Sequence, residues 1–155
     1  MHSVMLSIEN IDVVVEFEKR ARETEAEIFT FEFDEMVFRK ETLNALGNPN
    51  FASTRCMMCA DENGDIIGRV DFTLLPSFAF GGDIRAYVDW VYVLKAHRHK
   101  GVAQFLFNEM TEYLKKLGIN DYFLIAAENE EAQSFYRSLG NASIEKQDIL
   151  SVNAS

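Results

Sequence analysis

Apolar residues recur along this chain with two spacings, and each change of spacing marks a change of element. A short strand is expected over residues 3–8. Asn10 then stands where a helix can be capped, ahead of Val14, Phe17 and Ala21 at i, i+3 and i+7, the spacing of one helical face. A second helical stretch begins near Phe31, carries Phe33, Met36, Val37, Leu43 and Leu46 on one side, and stops at Gly47-Asn48-Pro49. Residues 51–60 and 66–74 read as strands. The link Asp61-Glu62-Asn63-Gly64-Asp65 joins them, and its Asn-Gly pair predicts a tight antiparallel hairpin. Residues 84–94 are largely apolar, rich in Val and Tyr with Trp90 among them, and read as a central strand. From Gly101 a continuous stripe of Val102, Phe105, Leu106, Met110, Tyr113, Leu114 and Leu117 predicts an amphipathic helix ending at Gly118. Residues 121–127 read as a short buried strand. Asn129 opens a last helix that carries Ala132, Phe135, Tyr136 and Leu139 to Gly140, and one or two strands are expected within residues 143–152.

Composition adds limits to this pattern. With 155 residues, 48% hydrophobic and 26% charged, the chain suits one globular domain over residues 1–155, with no internal repeat and no linker. No tract is long enough to span a bilayer, and the N-terminus lacks the charged and apolar regions of a secretory signal, so no membrane partner and a cytoplasmic location are expected. A net charge of −10 and a pI near 4.7 argue against nucleic acid and suit a cationic partner better. Cys56 and Cys59 have metal-site spacing, but on a strand an offset of three sends them to opposite faces, so no metal is expected. No motif marks an oligomeric state, and a homodimer is left open.

Against that acidic background, no Asp or Glu occurs between Asp89 and Glu109. Inside the gap lies Lys95-Ala96-His97-Arg98-His99-Lys100-Gly101-Val102-Ala103, a basic loop running into a helix. Free amides at a helix N-terminus and nearby cations both favour a polyanion, which points to a phosphate-bearing cofactor. A Walker A loop is excluded because Lys100 precedes Gly101 and Val102 follows it. A dinucleotide fingerprint is excluded because only the first of its three glycines is present. Gly101 would let backbone approach phosphates closely, Ala103 would keep the first turn thin, and the amides of residues 98–103 would form the cradle, with Arg98, His99, Lys100 and Val102 beside them. On the last helix Asn129, Ala132 and Tyr136 fall on one face and offer an amide, a small gap and a phenol to one ligand.

Arg98-x-x-Gly101-x-Ala103 after a strand, followed by Asn129-x-x-Ala132-x-x-Phe135-Tyr136-x-x-Leu139-Gly140, resembles the GNAT superfamily of N-acetyltransferases. The resemblance is strong from about Val88 to Gly140. It implies a single-domain α/β (α+β) fold, with a central mixed, mostly antiparallel sheet of about six or seven strands flanked by about four helices. It also implies acetyl-CoA as cosubstrate and direct attack by a primary amine of a small molecule or peptide. A non-catalytic acyl-CoA-binding sensor or regulatory module is the alternative, and Tyr136 favours the enzyme. The sequence departs from the family at Lys95, where proline is frequent, and at Asn141, where phenylalanine is usual.

Carried over residue by residue, the resemblance places the backbone of Val91 and Val93 against the acetyl carbonyl and pantetheine. Tyr136 matches the general acid toward the departing thiolate, its plainer role being to complete the helix's core stripe. For a general base, Asp89 is the first candidate, since a lone carboxylate in an apolar strand is costly unless paired or open to a cleft. A salt bridge to Arg85 is the competing explanation for it, and Glu128 is a weaker candidate. His97 and His99 sit beside the phosphates rather than at the reacting atoms. The acceptor site is expected in the segment that holds Phe29, Phe31 and Phe33 among the carboxylates from Glu23 to Glu35, which suits a small cationic amine or a peptide amine.

Overall fold

Two hairpin-linked strands form the middle of the sheet. In a computed structural model of the chain, which describes residues 1–29, 32–145 and 152–153, β2 (Thr54–Ala60) and β3 (Ile66–Ser77) pair antiparallel. At their turn the Asp61 side chain accepts from the amides of Asn63 at 2.8 Å and Asp65 at 3.0 Å, and Gly64 takes φ 88°. The Asn-Gly signal therefore reports a real turn, with Asp61 as its clasp. On one side β1 (His2–Met5) pairs with β2, and on the other β4 (Asp83–Val93) pairs with β3, both antiparallel. The short β5 (Tyr122–Leu124) follows next to β4, giving the order β1-β2-β3-β4-β5.

Side chains alternate across the sheet, so the register assigns each face. One face presents Met58, Arg69 and Tyr92, and α1 (Ile11–Thr24) buries Val14, Phe17 and Ala21 against it. The other face presents Val70, Phe72 and Val93, and α3 (Val102–Lys116) covers it through Val102, Leu106, Phe107, Met110 and Leu114. A further helix, α2 (Glu35–Leu46), lies against α1. The residues group into two compact units, Met1–Phe123 and Leu124–Ser155, and the second contains α4 (Glu130–Ser138). No described helix is long and apolar enough to cross a membrane.

The α+β class holds, with corrections in detail. Among the described residues the sheet has five strands rather than six or seven. Of the expected closing strands, residues 142–145 have no regular structure, and residues 146–151 lie outside the described chain. The strand expected over residues 121–127 is three residues long and half open, with Phe123 and Ile125 exposed, because the chain leaves the sheet to reach the Asn129 cap.

The α2 stripe is also not a core stripe. Asp34 caps this helix by accepting from the amides of Met36 at 2.9 Å and Val37 at 3.0 Å, and its phase leaves Met36 80% exposed and Val37 and Leu46 exposed. Of that stripe Leu43 does turn toward the α1 cluster, as does Phe38. The expected helix start at Phe31 lies outside the described residues. In α3, Phe107 replaces Leu117 on the buried stripe.

Candidate functional site

Strand β4 is bent where the chemistry is expected. Asp71 of β3 pairs with Trp90, yet the next residue, Phe72, pairs with Val88, so Asp89 is an extra residue in β4. Such a bulge bends the strand and re-aims its side chains. Trp90 is left 41% exposed, and Asp89 is exposed. The Asp89 carboxylate accepts from the Thr73 hydroxyl at 2.7 Å. It does not pair with Arg85, whose guanidinium lies 3.3 Å from Asp121. The competing explanation for Asp89, a salt bridge to Arg85, gives way to the pairs Thr73–Asp89 and Arg85–Asp121.

Beyond the bulge the backbone polarity is set by one bond. The amide of Leu94 donates to Ile67 on the β3 side at 3.0 Å. Successive strand amides point to opposite edges, so those of Val93 and Val91 point away from β3. The side chain of Val93 is buried on the α3 face.

The basic loop then turns twice through left-handed backbone. After a single turn at Lys95–His97, Arg98 is extended, His99 has φ 58° and Gly101 has φ 79°. His99 is the one non-glycine residue with positive φ among those described, a conformation that costs an L-residue on the order of 1 kcal/mol. The Lys100 ammonium donates to the Ala96 carbonyl at 2.8 Å and closes the loop on itself. At the start of α3 Gly101 supplies no side-chain cap, and the first turn holds no acid. By contrast α1, α2 and α4 each carry an acid there. The first-turn amides, beginning with Val102 and Ala103, have no acceptor within the helix and are left for an anion. A Cβ on Gly101 would meet no protein atom within 4 Å, so the space before these amides is open. This arrangement fits a pyrophosphate.

Arg98 itself does not face that space. Its guanidinium is turned inward onto Glu25, a residue only 3% exposed, and donates to both carboxylate oxygens, one at 3.0 Å. Its Nε donates to the Val93 carbonyl at 3.2 Å, and it lies over the Tyr92 ring. Tyr92 donates its hydroxyl to the same carboxylate. Burial alone would push the Glu25 carboxyl up, but the hydrogen bonds from Tyr92 and Arg98 outweigh it and hold the carboxyl below its ordinary value. The Tyr92 phenol is pushed up to about 12 by burial and by the facing Glu25 carboxylate. Neither Glu25 nor Tyr92 stands out in the sequence, since partners 67 positions apart leave no local pattern.

In the second unit α4 begins as expected. The Asn129 side chain accepts from the Ala132 amide at 2.8 Å, so its carbonyl oxygen serves the helix as a cap. Tyr136 is the buried residue of this helix. Burial pushes its phenol above the ordinary value, partly offset by a hydrogen bond with the Ala127 backbone. Ala132 is partly buried on the same helix, and Glu128 is exposed.

The face under α1 carries aromatic and charged groups together. Phe29 packs edge-on against Trp90 and Tyr92, and Trp90 stacks on Tyr92. The Arg22 guanidinium sits 4.7 Å from the Phe29 centroid and 4.5 Å from that of Phe33, while pairing with Glu18. Glu18 also pairs with Arg69, which pairs with Asp71. A cleft of about 820 Å³ opens beside them, lined by Arg22, Glu23, Glu32, Phe33, Glu35 and Met36 among others. Cys56 and Cys59 are free thiols, both pushed up by burial, and no metal-holding cluster occurs among the described residues.

The sequence profile of the acetyltransferase (GNAT) family matches residues 16–140. Among solved structures the chain is similar to the aminoglycoside antibiotic 6'-N-acetyltransferase of Acinetobacter haemolyticus, at 18% identity and TM-score 0.69 over 100% of both chains. It is also similar to a ribosomal-protein-alanine N-acetyltransferase from Brucella melitensis biovar Abortus 2308, at 16% identity and TM-score 0.72 over 98% of this chain and 100% of that one. A probable acetyltransferase matches at 19% identity and TM-score 0.77, over 100% of this chain and 99% of that one. At these identities the likeness is one of fold. No curated protein sequence matches the chain significantly.

Proposed function

The chain belongs to the GNAT family of acetyltransferases, and on that premise we propose that it transfers the acetyl group of acetyl-CoA to a primary amine of a small molecule or peptide by direct attack. The observation that carries this reading is the start of α3, where left-handed Gly101 supplies no side-chain cap after left-handed His99 and the first turn holds no acid. Its amides, with those of residues 99–101, hold the pyrophosphate, and Lys100 adds charge at the loop.

Acetyl-CoA, when bound, supplies a thioester carbonyl open to an amine. The chain's part is to place charge and protons around it. The outward amides of Val93 and Val91 donate to the carbonyl oxygen and the pantetheine arm, and stabilise the negative charge that grows on that oxygen as nitrogen attacks. Asp89, held by Thr73, takes the proton that the ammonium must lose before attack. Tyr136 gives its proton to the departing thiolate as the carbon–sulfur bond breaks, and the proton left on the acylated nitrogen passes to solvent. A phenol kept above its ordinary value remains protonated and able to donate at neutral pH.

For the acceptor, the face with Trp90, Phe29 and the cleft carboxylates Glu23, Glu32 and Glu35 suits a cationic amine with an apolar portion. The aminoglycoside and ribosomal-protein acetyltransferases among the similar folds support an amine as acceptor. A screen of polyamines, aminoglycosides and peptide N-termini with acetyl-CoA, read by thiol release, tests the proposal. Release with a cationic amine is expected. Binding of acetyl-CoA without release from any amine would instead support an acyl-CoA sensor.

A further inference from the structure

We infer that Glu25 is a positioning residue of the donor loop rather than part of the acceptor site, acting through Arg98. This rests on the reading of residues 98–103 as the coenzyme A loop. By sequence Glu25 sits in the run of carboxylates from Glu23 to Glu35 assigned to the amine side. In the fold its carboxylate points the other way, buried under the loop, with Tyr92 on one oxygen and the Arg98 fork across both.

Arg98 is the first residue of Arg-x-x-Gly-x-Ala, and all its orienting contacts are internal. Nε donates to Val93 at the end of β4, the two terminal nitrogens donate to Glu25, and the backbone amide donates to Lys95 at 3.3 Å. A planar fork bound at three nitrogens cannot swing, so the Cα of Arg98 is pinned from behind. The next residue enters the left-handed region at His99, and the backbone returns to helix only after Gly101. The direction in which the loop amides point depends on where that reversal starts, which is at the pinned residue. Glu25 also neutralises the Arg98 charge, so the guanidinium serves as a brace behind the loop and the amides in front meet the anion.

The test compares wild type with Glu25→Gln, Arg98→Gln and the double variant, measuring coenzyme A affinity by calorimetry and separate KM values for acetyl-CoA and the amine. Glu25→Gln keeps the shape but removes the charge that holds the fork. A shifted cradle weakens coenzyme A binding by about 10- to 100-fold. KM for acetyl-CoA rises while that for the amine stays within about twofold. Because the two side chains act as one unit, the double variant loses no more than the worse single variant. If wild type binds coenzyme A and folded Glu25→Gln binds it equally well, or only the amine KM rises, the inference is overturned and the loop assignment stands. If wild type itself fails to bind, the loop assignment falls. Should Glu25→Gln fold poorly, Tyr92→Phe removes one hydrogen bond from the same carboxylate. It is expected to weaken coenzyme A binding in the same direction, and unchanged affinity there also overturns the inference.

Discussion

Gly68 of β3 lies directly beneath Val102, the first residue of α3: a Cβ at position 68 would stand 2.8 Å from Val102 Cγ1, and 3.3 Å from both Leu106 and Val93. The helix that opens with the loop amides can approach the sheet this closely because the residue below it has no side chain. Gly68→Ala is therefore expected to destabilise the fold by about 1–3 kcal/mol through overpacking, measured by urea denaturation. Val102→Ala in the same background removes the offending methyl and recovers part of the loss. Wild-type stability in Gly68→Ala would show that the helix is less closely seated.

Asp89 stands at the bulge and accepts a hydrogen bond from the Thr73 hydroxyl. Asp89→Asn should lower kcat/KM for the amine by about 10²-fold or more at neutral pH, the usual loss for a general base, with acetyl-CoA affinity unchanged. Thr73→Val should cost less, because the carboxylate remains but is no longer oriented. Full activity in Asp89→Asn would assign deprotonation to another group or to water.

Tyr136 is expected to act by donating its proton. Tyr136→Phe should lower kcat by about 10²-fold or more while sparing acetyl-CoA binding. Since burial places the phenol above its ordinary value, the alkaline fall of the wild-type rate should lie above that value too, and should vanish in the variant. A variant with the wild-type rate at every pH would reduce this phenol to core packing.

Glu25 links acidity to stability. Its carboxyl is held below the ordinary value of 4.5, so its ionised form stabilises the fold fully above that value and loses this as pH falls through the lower folded value. The stability difference between wild type and Glu25→Gln should thus be constant above about pH 5.5 and shrink as pH falls below the ordinary carboxylate range. A difference that grows on acidification would contradict the inward carboxylate–guanidinium pair.

Much of this fold is legible in short stretches of sequence. Asn63-Gly64 gives the hairpin, Asn129 gives the α4 cap, and the stripe from Val102 to Leu114 gives the longest helix, because each signal is local to one turn or one face. What escapes are the features set by long-range register. The extra residue at Asp89 exists only relative to β3, and nothing in the run Val88 to Val93 marks it. The inward turn of Arg98 depends on Glu25, and the exposure of Met36 depends on the phase set by the Asp34 cap. The sequence identified the loop as cationic toward a ligand, whereas in the fold its arginine is spent on a buried partner and backbone amides face outward.

The loop's role can be measured directly by calorimetric titration of coenzyme A into wild type and Gly101→Glu. Position 101 has left-handed backbone, and the space before it is open, so glutamate adds strain and sets a carboxylate where the phosphates belong. Saturable binding to wild type and its loss in a folded Gly101→Glu variant is the predicted result. Equal affinity in the two proteins, or none in wild type, would contradict the assignment of residues 98–103 to the pyrophosphate.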